Sequence, residues 1–387
     1  PADHAGSPEH TASPWPVFFT ACVAVFLVSV DATVLFAAFP ALRQSFAGTS
    51  AADLSWVLNA YTVVYAALLV PAGRLADTHG RRRMFMLGTG LFMLASLACG
   101  LATDVTMLVA ARAVQAVGAA ILTPASLSIV LGAFPASRRA VAVSLWGAVS
   151  GLAAAVGPSL GSLLVDTLGW RWAFFINVPP ALWAIWRATR RLPADEASNQ
   201  HTRLDLVGVI LLVAGMGGLT AAVVATEGHA WHEPRVWLAA LTGVAALLAF
   251  VAWARRHPAP ALDLSLFANR TYSAVNLATL AFGIAFSMMF FGFFFFMTGI
   301  WHYSLPQAGL AMTPGPLMVI PVAMLAGRFA ARAGHRPLLV TGSLLLAAGG
   351  VWQATMPGLQ PDYLLHWLPS QLLTGIGVGL ALPSLSG

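Results

Sequence analysis

Two stretches of this sequence decide how the chain is organised. Residues 73–83 read G-R-L-A-D-T-H-G-R-R-R, and residues 327–337 read G-R-F-A-A-R-A-G-H-R-P. A second pair lies nearby, because R-A-V-Q-A-V-G-A-A-I-L-T-P at 112–124 aligns with Q-L-L-T-G-I-G-V-G-L-A-L-P at 371–383. The two offsets, 254 and 259 positions, nearly agree. A repeat at this period predicts two related halves.

The composition places both halves in a membrane. Of 387 residues, 58% are apolar and only 9% are charged, against roughly 25% charged in an average soluble domain. A soluble enzyme and a receptor with a single anchor are therefore excluded. Apolar stretches long enough to cross a bilayer predict an all-α polytopic protein with twelve spans, near 16–38, 54–72, 84–103, 105–131, 140–165, 172–187, 204–226, 236–254, 273–298, 308–330, 337–356 and 363–386.

The positive charges indicate the orientation. All twenty are arginine, and with a cytoplasmic N-terminus sixteen fall on the cytoplasmic side and three on the other, as the positive-inside rule requires. The basic composition is thus a topology signal, and no nucleic-acid partner is expected. The first apolar stretch lacks a basic region before it and a cleavage pattern after it, so we interpret it as a retained span.

The position of the repeated loop predicts the domain organisation. Its second copy lies between spans 10 and 11, so two extra helices separate the halves. We expect a cytoplasmic tail at 1–14, a six-helix bundle at 15–191, a linker with two extra helices at 192–257 and a four-helix C-terminal bundle at 258–387. The counterparts of spans 5 and 6 are expected to be missing from the second half, so that an intact molecule would have fourteen spans arranged 6+2+6.

Several motifs, in order, resemble the major facilitator superfamily, and within it the fourteen-span branch of drug:proton antiporters. The similarity covers nearly the whole chain, with Phe36 standing where asparagine is usual and Ser162 where glycine is usual. It rests on D-A-T-V-L-F-A-A-F-P at 31–40, S-W-V-L-N-A-Y at 55–61, the loop at 73–83, Arg112, Gln115 and Gly118 in span 4, G-P-S-L-G-S at 157–162, and G-W-R-W-A-F-F-I-N-V-P at 169–179.

Asp31 and Arg112 are the candidate proton-coupling residues. Each lies about seven residues from the outer end of its span, roughly 10 Å deep. A charged side chain at that depth is costly and is rarely kept without a partner or a water-filled cavity. If spans 1 and 4 both line the cavity, as the resemblance implies, the two can pair, and a substrate or proton could compete with Arg112 for Asp31. A purely structural ion pair remains the alternative.

The resemblance also implies a gate and a packing motif. The loop at 73–83 would latch the cytoplasmic side through Gly73, Asp77, Gly80 and Arg81, with Asp77 capping or facing a helix N-terminus. Its second copy has Ala331 in place of the acid, so an asymmetric latch is expected. In span 5, small residues and a proline that permit close, kinked helix packing resemble the antiporter motif: Gly147, Gly151, Gly157, Pro158 and Gly161.

Candidate substrate-binding residues are aromatic or amide side chains within spans. A run of phenylalanine and methionine at 286–297 would form an adaptable apolar wall, although such a run also suits a lipid-facing surface. Spans 9–12 hold no acid in their apolar cores, which disfavours dicationic substrates. The predicted residues are Trp56, Asn59, Tyr61, Tyr65, Gln115, Phe290, Phe294 and Gln371.

The remaining chemistry points to ion coupling. With no lysine, the chain cannot form a Walker-type phosphate loop, and neither its histidines nor Cys22 and Cys99 have the spacing of a metal site. We therefore expect no enzyme activity, no cofactor and no metal, with the proton gradient as energy source. The expected protein is a monomeric exporter of small lipophilic or cationic molecules in a bacterial inner membrane. The alternatives are a dedicated exporter of one metabolite or antibiotic, and a sensor or assembly protein without flux.

Overall fold

A computed structural model describes residues 13–135, 138–195, 205–226 and 233–386. These residues form helices and short connections. The predicted tail, except Ser13 and Pro14, and parts of the predicted linker lie outside the described residues. The helices are α1 (Trp15–Ser45), α2 (Ala51–His79), α3 (Arg81–Gly100), α4 (Val105–Ala133), α5 (Arg139–Leu168), α6 (Trp172–Phe175), α7 (Val178–Arg191), α8 (Leu206–Ala225), α9 (Pro234–Ala254), α10 (Arg270–Gly299), α11 (Leu305–Met312), α12 (Pro314–Ala333), α13 (His335–Thr355) and α14 (Leu368–Ser386).

Within this described part, ten helical segments are long and apolar enough to cross a membrane. Twelve spans were predicted, and the ten segments correspond to all of them except span 6 (α6 and α7) and span 12 (α14). Two breaks in the helices were not revealed by the apolar pattern. Span 6 is divided into α6 and α7 before Pro179 and Pro180, and span 10 is interrupted at Thr313, before Pro314. Asn177 and Thr313 keep helical backbone angles, but the prolines that follow lack a backbone N–H and so remove hydrogen bonds from the helix at these points. The all-α polytopic fold is confirmed.

The first seven helices form the N-terminal bundle, in which α3 and α4 pack at the closest approach. A Cβ added to Gly118 would lie 2.5 Å from the backbone nitrogen of Phe92, and one added to Gly88 would lie 2.8 Å from that of Leu122. Only glycine allows backbones so near each other. The α1–α5 contact is also tight, because Gly157 faces Thr33 with no room for a methyl group. These contacts fix the positions of α1 and α4.

The C-terminal part consists of α10–α14. Here α13 and α14 pack through Gly342 and Gly377, where an added Cβ on either residue would lie 2.7 Å from the carbonyl oxygen of the other. The two parts meet where α5 lies against α11 and α12. At this surface Gly151 faces Val319, and the hydroxyls of Ser159 and Thr313 lie 3.4 Å apart. Helix α5 is therefore the main link between the two halves.

The two extra helices, α8 and α9, form a hairpin that lies against α2. Asp205 anchors its base, accepting hydrogen bonds from the backbone nitrogens of Gly208 (2.8 Å) and Ala261 (2.9 Å) and from Nε1 of Trp253 (2.9 Å). Burial alone would raise the pKa of Asp205, but these three hydrogen bonds outweigh it and lower that pKa below its ordinary value. The base of the hairpin is thus held by a single carboxylate.

Candidate functional site

The buried centre of the N-terminal bundle is an ion pair. Asp31 lies in the middle of α1 and is 2% exposed, while Arg112 of α4 is 1% exposed. The Arg112 Nη1 atom lies 2.6 Å from Oδ2 of Asp31. The equal depth of the two residues in spans 1 and 4 predicted this contact, and the structure places them together. A fully buried pair of this kind needs further hydrogen bonds to offset the loss of water.

Those further bonds come from Gln115 of α4, Ser96 of α3 and Asn177 at the break between α6 and α7. Oδ1 of Asp31 accepts from Nε2 of Gln115 (2.8 Å) and from Nδ2 of Asn177 (2.9 Å). Both amides also donate to the hydroxyl of Ser96, at 2.7 and 3.3 Å. Gln115 Oε1 in turn accepts from Arg112 Nη1 at 2.6 Å. We call Asp31, Ser96, Arg112, Gln115 and Asn177 the buried polar cluster.

The guanidinium of Arg112 has three additional neighbours. Its Nε atom donates to the backbone oxygen of Val57 at 3.1 Å, and its carbon lies 4.1 Å from the centre of the Tyr61 ring. A second ring, that of Phe174, lies 5.8 Å away. Aromatic faces attract cations most strongly where water is absent. Arg112 therefore keeps favourable contacts on α2 and α6 that do not depend on Asp31.

This geometry suits the ionised form of Asp31. The carboxylate accepts from Arg112, Gln115 and Asn177, and a carboxylate is the form of aspartate that only accepts hydrogen bonds. Protonation of Asp31 would remove the negative charge opposite Arg112. It would also turn the carboxyl group into a hydrogen-bond donor that faces three groups which themselves donate. The cluster can thus respond to a single proton by reorganising its hydrogen bonds.

A separate cavity of about 180 Å³ lies between the two halves. One wall is α5 and the others are α10, α11, α12 and α14, and the lining is mostly apolar. Its polar side chains are Ser150, Gln371 and Thr374. Gln371 is 2% exposed, and its Nε2 atom has no hydrogen-bond partner in the described part of the chain. The residues around it are Gly147, Ser150, Gly151, Phe286, Met289, Phe293, Met312, Gly315, Pro316, Val319, Gln371, Thr374, Gly375, Val378 and Leu382.

The cavity brings together some of the residues predicted from sequence. Gly147 and Gly151, predicted as part of the packing motif of span 5, leave space for it, and Gln371 was predicted as a substrate residue. Phe290 and Phe294 lie on α10, but their side chains fall outside the described residues. Their neighbours Phe286 and Phe293 do line the cavity, so α10 contributes an aromatic wall.

The other predicted substrate residues lie elsewhere. Tyr61 and Gln115 surround Arg112 rather than the cavity. Tyr65 stacks on Tyr61, with ring centres 5.9 Å apart, and bonds to Thr123 at 3.3 Å, while the Asn59 amide donates to Ser55 at 3.3 Å. Trp56 is half-buried on α2 and is not among the cavity residues. Helix α2 therefore supports the ion pair instead of the cavity.

The loop between α2 and α3 differs from its prediction in one respect. Asp77 forms an exposed pair with Arg81 (3.7 Å) and does not cap α3. The carboxylate of Asp195 accepts from the backbone nitrogens of Arg82 and Arg83, both at 2.9 Å. Gly80 has a positive φ of 96° and leaves the space that Asp195 fills, while a Cβ added to Gly73 would lie 3.6 Å from that of Pro124. The prediction for this loop thus did not include Asp195, which accepts these two backbone hydrogen bonds at the start of α3.

Three site residues were absent from the sequence prediction: Ser96, Asn177 and Asp195. Ser96 and Asn177 are polar residues within apolar segments, and Asn177 lies in the motif at 169–179 that was noted only for its resemblance. Asp195 follows a basic run and reads as an ordinary loop acid. Asn177, the isolated polar residue before V-P-P, carried the one usable signal for this site. The two prolines mark a helix break there, and the Asn177 side chain makes no capping hydrogen bond to the helix that follows.

Two helical halves around an apolar cavity, with a buried ion pair in one half, define the architecture of a multi-pass membrane transporter. Sequence comparison makes the class specific. The model of the Major Facilitator Superfamily matches residues 21–387, and the chain belongs to this superfamily. Membership agrees with the order of helices and with the recurrence of the 73–83 loop.

Two relatives and one solved structure illustrate the similarity. The puromycin resistance protein pur8 of Streptomyces alboniger is 39% identical over 92% of this chain and 71% of its own length. The multidrug transporter protein MdtP of Bacillus subtilis is 29% identical over 94% of this chain and 66% of its own length. The partially occluded, inward-open structure of the xylose transporter XylE from E. coli matches with a TM-score of 0.61 at 13% identity, covering 97% of this chain and 86% of that one. The last match concerns the fold.

Proposed function

We propose that this transporter is a proton-coupled antiporter that exports small lipophilic or cationic compounds across a bacterial inner membrane. The observation that carries the proposal is the buried pair of Asp31 and Arg112. Ionisable side chains inside membrane proteins typically mark ion or substrate pathways. Among the residues of the N-terminal bundle that the structure describes, Asp31 is the one buried carboxylic acid.

The coupling step follows from the chemistry of the pair. A proton from outside neutralises Asp31 and removes the partner of Arg112, which stays held by Val57 and Tyr61. Opening to the cytoplasm lets Asp31 release the proton and form the ion pair again. One hydrogen bond links this cycle to the cavity: Ser150, which lines it, lies 2.8 Å from the hydroxyl of Ser29, two positions before Asp31.

The cavity supports the substrate class. Its walls are apolar apart from Ser150, Gln371 and Thr374, and its lining residues include no charged side chain. An apolar pocket with a few polar groups suits lipophilic ligands that carry a hydrogen-bond acceptor. The name of pur8 refers to puromycin and that of MdtP to many drugs. These names support the proposal that this protein exports drug-like molecules.

The arrangement around the site is proposed on sequence grounds. The arginine distribution supports a cytoplasmic N-terminus in the plasma membrane, and the repeat supports an N-terminal bundle at 15–191, a linker with two extra helices at 192–257 and a C-terminal bundle at 258–387. The 73–83 loop would act as the cytoplasmic latch together with Asp195, which follows α7 and bonds to the start of α3. We propose that the protein is a monomer, that it needs no cofactor, and that the proton gradient is its energy source.

A transport assay in proteoliposomes with an imposed pH gradient tests the mechanism. Labelled puromycin and the cationic dye ethidium serve as probes. Gradient-driven uptake of at least one probe is expected in the wild type and should fall to background in Asp31→Asn. The matched control is Asp166→Asn, an exposed acid at the end of α5, which should transport normally. Equal uptake by wild type and Asp31→Asn would refute proton coupling through Asp31.

A dedicated exporter of one metabolite or antibiotic is the second candidate, and the name of pur8 favours it. Resistance profiles of expressing cells against unrelated drugs separate the two: a dedicated exporter protects against one compound class only. A membrane sensor without flux is the third candidate. Release of protons when puromycin is added to the purified protein, with uptake in proteoliposomes, would argue against it.

A further inference from the structure

Asn177 lies at the break between α6 and α7, inside the N-terminal bundle. The residues after it read V-P-P, and proline has no backbone N–H, so the first turn of α7 has fewer donors for a side chain to cap. The Asn177 side chain makes no capping hydrogen bond to α7. It points instead into the protein, where the residue is 1% exposed. Its amide is thus available to the buried polar cluster.

The two ends of this amide are in unequal surroundings. Nδ2 donates both to Oδ1 of Asp31 at 2.9 Å and to Oγ of Ser96 at 3.3 Å. Oδ1 of Asn177 is buried and has no hydrogen-bond partner among the residues that the structure describes. A buried carbonyl oxygen without a donor is unfavourable. Asn177 therefore holds an unused acceptor next to Asp31.

A protonated Asp31 would need such an acceptor. In the ionised state all three neighbouring groups donate to it: Arg112, Gln115 and Asn177. Adding a proton creates an O–H that faces only donors, which leaves it without a partner unless a neighbour changes. Gln115 Oε1 already accepts from Arg112 at 2.6 Å. The free oxygen of Asn177 is the acceptor that remains.

We propose that Asn177 is a positioning residue that responds to protonation of Asp31 by rotating its amide half a turn. In the ionised state Nδ2 faces the carboxylate; in the protonated state Oδ1 takes its place and accepts the O–H of Asp31. The Ser96 hydroxyl can then donate its own hydrogen to the same oxygen. One proton from water binds to Asp31, and no other covalent bond changes.

This inference rests on the proposed role of Asp31 as the proton site, and it explains how that role reaches another helix. Asn177 connects α1 to the α6–α7 break, so the rotation changes the bond between them each time the proton binds. The titratable groups facing Asp31 are Arg112 on α4, Tyr61 on α2 and Cys99 on α3.

Infrared difference spectroscopy of the purified full chain tests the proposal. Spectra taken above and below the pH at which Asp31 titrates should contain a protonated-carboxyl band that is absent in Asp31→Asn. In protein grown with asparagine carrying carbon-13 at its side-chain carbonyl, an amide band should shift with the same midpoint. In the isosteric variant Asn177→Leu the shifted amide band should be lost, and pH-driven uptake of puromycin should fall about tenfold.

The controls separate this inference from the proposed function. Ser96→Ala keeps the amide of Asn177 and should keep both bands. A carboxyl band without any labelled amide shift would overturn the rotation of Asn177 while leaving Asp31 as the proton site. Absence of the carboxyl band in the wild type would overturn both. Asparagine also stands at 59, 199, 269 and 276, so the shift is assigned by its loss in a position-177 variant. If Asn177→Leu fails to fold, Asn177→Gln serves instead, because it keeps a side-chain amide but lacks the label.

Discussion

The two helix pairs α3–α4 and α13–α14 share one backbone contact and differ in what surrounds it. Gly88 and Gly118 meet in the first pair, and Gly342 and Gly377 meet in the second, at the 254 and 259 offsets of the sequence repeat. The nitrogens of Phe92 and Leu122 that crowd the first pair correspond to those of Leu346 and Ala381 in the second. The repeat thus preserves the helix approach in detail.

The polar residues between these contacts do not repeat. Arg112 corresponds to Gln371, Gln115 to Thr374, and Cys99 to Gln353. The first half therefore contains a charged cluster in which both Asp31 oxygens accept hydrogen bonds, while the second contains two amides, Gln353 and Gln371, whose Nε2 atoms have no partner among the described residues. Duplicated packing with divergent polar content indicates a division of roles: the first half suits a proton and the second a ligand.

Removal of the charged partner should show the difference most strongly. Arg112→Ala leaves Asp31 ionised and buried, so we expect a loss of about 3–5 kcal/mol in the free energy of unfolding. Gln371→Ala, at the equivalent position, should lose only about 1 kcal/mol. Denaturant unfolding in detergent micelles measures both. The double variant Asp31→Asn/Arg112→Met should be more stable than Arg112→Ala; if it is not, the unpaired charge is not the cause.

The shared glycine contact should break equally in both halves. Gly118→Ala and Gly377→Ala each place a methyl group against backbone atoms, at 2.5 Å from Phe92 N and 2.7 Å from Leu346 N. Overpacking of this kind costs about 1–3 kcal/mol, and the two variants should agree within about 1 kcal/mol in the same unfolding assay. Gly90→Ala, which meets nothing within 4 Å, is the control. A large effect in one half alone would contradict equivalent packing.

An acid placed in the second half should shift its ligand preference. Gln371→Glu adds a negative charge to the apolar cavity, so the ratio of ethidium to puromycin transport should rise about tenfold, the size expected of one favourable charge contact. Competition assays in proteoliposomes give this ratio. Gln371→Met removes the amide without adding charge and should leave ethidium disfavoured. An unchanged ratio in Gln371→Glu would place the ligand elsewhere.

The smallest effect on stability is expected at the 73–83 loop. Asp77→Ala makes the first copy resemble the second, which has Ala331 at that position. The Asp77–Arg81 pair is exposed at 3.7 Å, so stability should change by no more than about 0.5 kcal/mol. Asp195→Ala removes two backbone hydrogen bonds and should cost more. If Asp77→Ala lowers the free energy of unfolding more than Asp195→Ala does, then Asp195 is not the residue that stabilises the start of α3.

Sequence alone predicted the helices and the ion pair because both have long-range signals. Apolar stretches of bilayer length are unmistakable, and Asp31 and Arg112 are charges at equal depth in helices that the resemblance places side by side. The break in span 6 and the one at Thr313 were missed, although the prolines beside them were visible. The window of apolar residues runs through both breaks and hides them.

The rest of the cluster could not be found in this way. Ser96 and Asn177 are small polar residues, and a membrane helix can satisfy such groups on its own backbone. Their role depends on α3 and the α6–α7 break meeting α1, which no local pattern shows. Trp56 and Asn59 illustrate a related difficulty: an apolar helix has no polar face to indicate which side lines a cavity, and neither residue is among those that line the cavity between the halves. Their predicted role in substrate binding stays a prediction.

The glycines of α5 have a mechanical consequence. Gly157 faces Thr33 without room for a methyl group, and a Cβ added to Gly161 would lie 2.9 Å from Cα of Val34. Neither position leaves a gap, so α1 and α5 form one packed unit. The seam with the second half is uneven: a Cβ added to Gly309 of α11 would lie 2.9 Å from the nitrogen of Ser159, whereas one added to Gly151 would lie 3.5 Å from Val319 of α12. Rocking between the halves therefore has more room at α12 than at α11, and Asp31 belongs to the same packed unit as the wall that α5 gives the cavity.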